Sequence, residues 1–137
     1  MTRVAVCLSG CGFQDGAEIQ ESIFTLLALD QAGAQADCCA PDIEQTKVVN
    51  HLNGTASSGE KRSVLAESAR IARGVIRDIA TVNGDEIDAL IFPGGFGAAL
   101  NLCAFASEGA DCSVNSDVQK LIAAVLQAGK PIGVICI

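Results

Sequence analysis

The chain has 137 residues, half of them apolar, with 9 Lys and Arg against 16 Asp and Glu for a formal net charge of −7. That acidic balance argues against nucleic acid or an anionic membrane surface as the main partner, because both need a concentrated basic face. Length and apolar content predict a single domain over residues 1–137, and the longest apolar runs, Val4–Leu8 and Leu90–Phe92, are too short to span a bilayer, so a soluble chain is expected.

Arg3–Leu8 reads as a first strand with no cleavage site behind it, hence not a signal peptide. Ser9-Gly10-Cys11-Gly12 is a loop able to bring backbone N–H groups close to a ligand. Asp15 is expected to cap a helix, with Glu18 at capping-box spacing, Ile19, Ile23, Leu26 and Leu27 as its apolar face and Gly33 as its stop. Ala34–Ala40 predicts a second strand, Thr46–Leu52 a short extended piece, Gly54–Gly59 a loop, Ser63–Arg73 a helix and Val75–Ile79 another short strand. Ile87–Phe92 is a buried strand running into Pro93-Gly94-Gly95-Phe96-Gly97. Helices follow over Ala98–Leu102 and Ser116–Ala128, and Pro131 opens a last strand, Ile132–Cys136, that also reads as buried. Strands alternating with helices predict right-handed crossovers and a mostly parallel α/β sheet with helices on both faces.

Seven cysteines, an odd number in scattered positions, suggest free thiols in a reducing compartment, and the cytoplasm is the expected location. Cys136 stands at the C-terminal end of the last strand, where open parallel sheets place chemistry, although a buried core thiol would occupy the same position. Gly94 and Gly95, at the end of another central strand, can aim N–H groups at a developing oxyanion. Glu18 begins the helix after the first strand. Capping would account for it, and a carboxyl held beside a thiolate could also give and take a proton. His51, in Asn50-His51-Leu52-Asn53, is expected to be a solvated loop residue.

Three near-motifs lead nowhere. Gly54–Lys61 approximates a phosphate-binding loop with Glu60 where the Lys is required, and Gly10, Gly12 and Gly16 miss the dinucleotide spacing by one residue. Cys7 with Cys11 lacks the partners of a zinc site, and Cys38 and Cys39 should point to opposite faces of a strand. No metal and no organic cofactor is expected.

Taken together, Leu8–Gly12, Asp15–Ile19, Asn50–Leu52, Ala69–Gly74, Phe92–Ala99 and Gly129–Gly133 leading to Cys136 resemble the ThiJ/PfpI superfamily, relatives of the class I glutamine amidotransferases, and within it a glyoxalase-like isoprenoid-biosynthesis branch. The resemblance implies a flavodoxin-like fold and a homodimer. It implies Cys136 as a nucleophile on a sharp elbow, Glu18 as its hydrogen-bonded acid/base partner, and Gly94 and Gly95 as oxyanion donors. The implied activity on a small aldehyde is glutathione-independent conversion of glyoxal to glycolate. Members of the family continue past the cysteine with a helix and further sheet. The chain is therefore expected to be the N-terminal portion of a longer family domain, with an exposed sheet edge and little activity alone. The alternative is a regulatory protein in which Cys136 senses oxidants. A glutamine amidotransferase is disfavoured, because Val134 stands where that elbow has glycine.

Overall fold

The computed structural model describes residues 1–136. In chain order, β1 (Arg3–Cys7), α1 (Ile19–Gln31) and β2 (Gln35–Ala40) are followed by a short hairpin of β3 (Val49–Asn50) and β4 (Thr55–Ala56). Then come α2 (Val64–Ile71), β5 (Arg77–Asp78), β6 (Ala89–Phe92), α3 (Phe96–Leu100), α4 (Phe105–Glu108), α5 (Ser116–Gln127) and β7 (Ile132–Val134). Five strands form one parallel sheet in the order β5-β2-β1-β6-β7. Setting aside the two-residue β5, the long strands lie second-first-third-fourth, the order of a flavodoxin-like sheet, which reverses direction between β1 and β6. Among the described residues no helix is long and apolar enough to cross a membrane.

The period-two alternation of the strands divides the core. Ala5, Cys7, Cys39 and Leu90 pack against Val118, Leu121 and Val125 of α5. Val6, Leu8, Cys38 and Ala40 face the opposite layer, against Val64 and Ile71 of α2. Cys38 and Cys39 thus stand on opposite faces. Burial pushes the Cys38 thiol up to about 11, with the neighbouring Cys39 and Asp37 adding to it; the Cys39 thiol paired opposite Cys7, and then burial, raise Cys7 as well.

Four expectations are corrected. The helix after β1 is capped by Glu18, whose side chain accepts from the Glu21 N–H, and not by Asp15, which is buried in the loop before the helix. Its inward face is also different. Ser22 and Thr25 are buried while Ile19, Ile23 and Leu27 are nearly half exposed. Burial of the two hydroxyls is tolerated because Ser22 donates to the Glu18 carbonyl and Thr25 to the Glu21 carbonyl, both at 2.7 Å. The stretch around Asn50 does not stay single: Val49 and Asn50 pair antiparallel with Ala56 and Thr55. Lastly, β7 is not buried. Among the described residues it pairs only with β6, and Val134 is 72% exposed.

Ser9, just past β1, is 1% exposed and its hydroxyl has no hydrogen-bond partner among the described residues. An uncompensated buried hydroxyl costs free energy. Ser9→Ala is therefore expected to hold or raise stability by up to about 1 kcal/mol. A clear fall in Tm would show that the hydroxyl has a partner after all.

Candidate active site

The strand order reverses at β1 and β6, and the loops beyond their C-terminal ends are laced together there. Glu18 N–H donates to the Gly94 carbonyl at 2.8 Å, Phe96 N–H to Phe13 O at 2.8 Å and Gly97 N–H to Gly16 O at 2.9 Å. Gly95 has φ +106, and a Cβ there would meet the Gly16 carbonyl and the Glu18 amide. Only glycine fits both the dihedral and the space.

Cys136 follows β7 at this rim. Its φ is +74, left-handed backbone that costs a non-glycine residue about 1–3 kcal/mol and occurs at sharp strand-end elbows that expose a nucleophile. Of the seven thiols, Cys136 is the exposed one; Cys7, Cys38 and Cys39 are buried, and Cys11, Cys103 and Cys112 are intermediate. Desolvation raises the Cys11 thiol, with Glu67 adding to it. Strain and exposure together single out Cys136 among the seven cysteines.

The carboxylate brought to this cysteine is one that sequence reasoning missed. Glu21 Oε2 accepts the Gly94 N–H at 2.7 Å. A Cβ built on Gly94 would collide with both that oxygen and the Cys136 Cβ, so carboxylate and cysteine converge on one point over the glycine. Glu18 Oε2 instead accepts from Glu21 N–H at 2.6 Å, which makes Glu18 the residue that holds the first turn of α1. Glu18, expected as the acid/base partner of Cys136, lines one cavity with Cys136 and Glu21, with its Oε2 engaged by the Glu21 N–H. The N–H of Gly94, expected with Gly95 as an oxyanion donor, donates to the Glu21 carboxylate. The available sequence signal was the i, i+3 pair of acids at a helix start, where the first caps the second and leaves the second carboxylate free.

Two cavities meet at Cys136. One of about 290 Å³ is lined by Phe13, Glu18, Glu21, Phe96, Ala99 and Cys136, and is the one that presents carboxylates to the thiol. The other, about 500 Å³ and almost wholly apolar, runs along β7 past Val118, Ile132 and Cys103.

His51 is an exposed turn residue, as expected, but it is also anchored. Its Nδ1 lies 3.0 Å from the Val49 carbonyl, Nε2 takes the Gln14 N–H at 3.3 Å, and its ring meets Phe13 edge-on at 5.7 Å. Asp15 reinforces the same junction, accepting Val49 N–H at 2.8 Å with its other oxygen 3.8 Å from His51 Nε2. Asn101 ties the neighbouring loops, donating to the Ser9 and Asp15 carbonyls and accepting Thr46 N–H. His51 does not line either cavity at Cys136; it braces Phe13, which does. Among the described residues no group of three or more His, Cys, Asp or Glu is placed to hold a metal ion.

No family model matches the chain. Over 135 residues it is 53% identical to the human glutamine amidotransferase-like class 1 domain-containing protein 3, mitochondrial, covering 98% of this chain and 50% of that protein. A crystal structure of an isoprenoid biosynthesis protein with an amidotransferase-like domain from Ehrlichia chaffeensis superposes with TM-score 0.92 at 37% identity, covering 98% of this chain and 63% of that one. The chain is thus similar over almost all of its length to proteins named as class I glutamine amidotransferase-like. A rat ES1 protein homolog, also named mitochondrial, is 50% identical over 135 residues, covering 98% of this chain and 51% of that protein. The chain spans about half the length of the curated relatives it matches. The cytoplasmic location expected from its thiols does not stand, because those relatives are named mitochondrial, and a mitochondrial matrix keeps thiols reduced just as the cytoplasm does.

Proposed function

We propose that the chain carries the nucleophile side of a glyoxalase-type site that converts a small α-oxoaldehyde such as glyoxal to the hydroxy acid. The observation that carries this reading is the convergence of the Glu21 carboxylate and the strained, exposed Cys136 over Gly94. In this reading the Cys136 thiolate adds to one aldehyde carbon, giving a hemithioacetal whose oxyanion is met by the Gly95 N–H. Glu21 removes the proton from that carbon and returns it to the neighbouring carbon, leaving a thioester. Water then cleaves the thioester, releases glycolate and restores the thiol. The sum is glyoxal plus water to glycolic acid, with no change in net oxidation state. The cavity of about 290 Å³ suits a substrate of a few heavy atoms, and the rings of Phe13 and Phe96 shield one side of it.

The test is glyoxal consumption by the full-length protein. Cys136→Ser is expected to abolish it, because the alkoxide needed in place of the thiolate is not formed at neutral pH. Turnover that persists in this variant overturns the reading.

A further inference from the structure

Cys103 and Cys112 bracket the segment holding α4 and lie outside the chemistry assigned to Cys136. Cys103 forms an isolated antiparallel bridge with Val114, extended by Ala104 N–H to Ser113 O and Asn115 N–H to Leu102 O, both at 2.9 Å. Cys112 is two residues before Val114. Side chains alternate along such a ribbon, so Cys103, Val114 and Cys112 fall on one side of it. The Cys103 thiol donates to the Ala98 carbonyl at 3.3 Å, and Cys112 lies diagonally across the ribbon from it on the same side. Both residues are partly accessible to solvent, and Cys103 also lines the apolar cavity beside Cys136.

We infer that Cys103 and Cys112 are a redox-active dithiol that closes to an intramolecular disulfide under a peroxide, fixing the wall of the apolar cavity next to Cys136. The chemistry balances in two steps. Peroxide oxidises one thiol to a sulfenic acid and releases water; the second thiol attacks that sulfur, forming the S–S bond and releasing a second water. The other cysteines are less suited. Cys7 and Cys39 are also neighbours, yet both lie within the sheet at 1% exposure or less, beyond the reach of a peroxide. The segment between the two sulfurs is short, and its ends are already held by the bridge, so closure asks for little movement of the chain.

The test exposes the full chain to hydrogen peroxide at low stoichiometry, alkylates the remaining thiols, and maps peptides without reduction, in the native sequence and in Cys103→Ser and Cys112→Ser. The expected result is a linked Cys103–Cys112 peptide pair with the loss of two free thiols, absent from either variant and reversed by dithiothreitol. A link between Cys103 and Cys136 overturns the assignment. So does full alkylation of both Cys103 and Cys112 after peroxide has oxidised Cys136. Circular dichroism of the two variants before oxidation separates a missing link from a misfolded chain.

Discussion

Glu21→Gln is expected to lower glyoxal turnover by about 10²–10⁴-fold while leaving the fold intact. The amide keeps the size of the carboxylate and can still accept the Gly94 N–H, but it cannot take a proton from the hemithioacetal carbon. Glu18→Ala behaves differently. It removes the acceptor from the Glu21 N–H and is expected to cost about 0.5–2 kcal/mol of stability, with a smaller loss of turnover. Steady-state rates paired with thermal denaturation of both variants distinguish the roles. If Glu18→Gln silences the enzyme and Glu21→Gln does not, the acid/base assignment reverts to Glu18.

Gly94→Ala is expected to reduce activity by at least about 10²-fold, because a displacement of about 1 Å at the reacting groups is enough for that loss. The new methyl would occupy the point where the Glu21 oxygen and the Cys136 Cβ now meet, and it also comes within 3.0 Å of the Ile135 carbonyl. The Cys136 Cβ and the Ile135 carbonyl cannot retreat cheaply, because they are held by the backbone, whereas the Glu21 carboxylate can swing aside only by leaving its place beside Cys136. Overpacking of this kind costs about 1–3 kcal/mol. Gly33→Ala serves as the control: it has nothing within 4 Å, so it carries only the strain of φ +72 and should leave turnover unchanged. Activity in Gly94→Ala equal to that of the parent would show that Glu21 and Cys136 do not act from the positions described.

Much of the fold was legible in the residues. Apolar strands separated by capped helices imply a parallel sheet covered on both faces, and glycines after β1 and β6 mark the turns at its C-terminal rim. The orientation of α1 was not legible. Apolar periodicity points to Ile19, Ile23, Leu26 and Leu27, of which Leu26 packs on the core and the other three stay nearly half exposed, whereas the helix buries Ser22 and Thr25 by returning their hydroxyl protons to its own carbonyls. Periodicity counts hydrophobic side chains and cannot register a hydroxyl satisfied within the helix. Local pattern likewise could not foresee that Asp15 and His51, distant in sequence, brace the hairpin against Phe13.

By itself the sequence determined that a cysteine would stand at a strand end with a glycine turn and an acidic helix start at the same rim, because strand direction and chain order dictate which loops share an edge. Which acid reaches the thiol was decided only in three dimensions. Glu18 and Glu21 are equivalent by composition and three residues apart, but Glu18, as the N-cap, gives its carboxylate to the helix N–H, and the carboxylate of Glu21, in the first turn, accepts the Gly94 N–H beside Cys136.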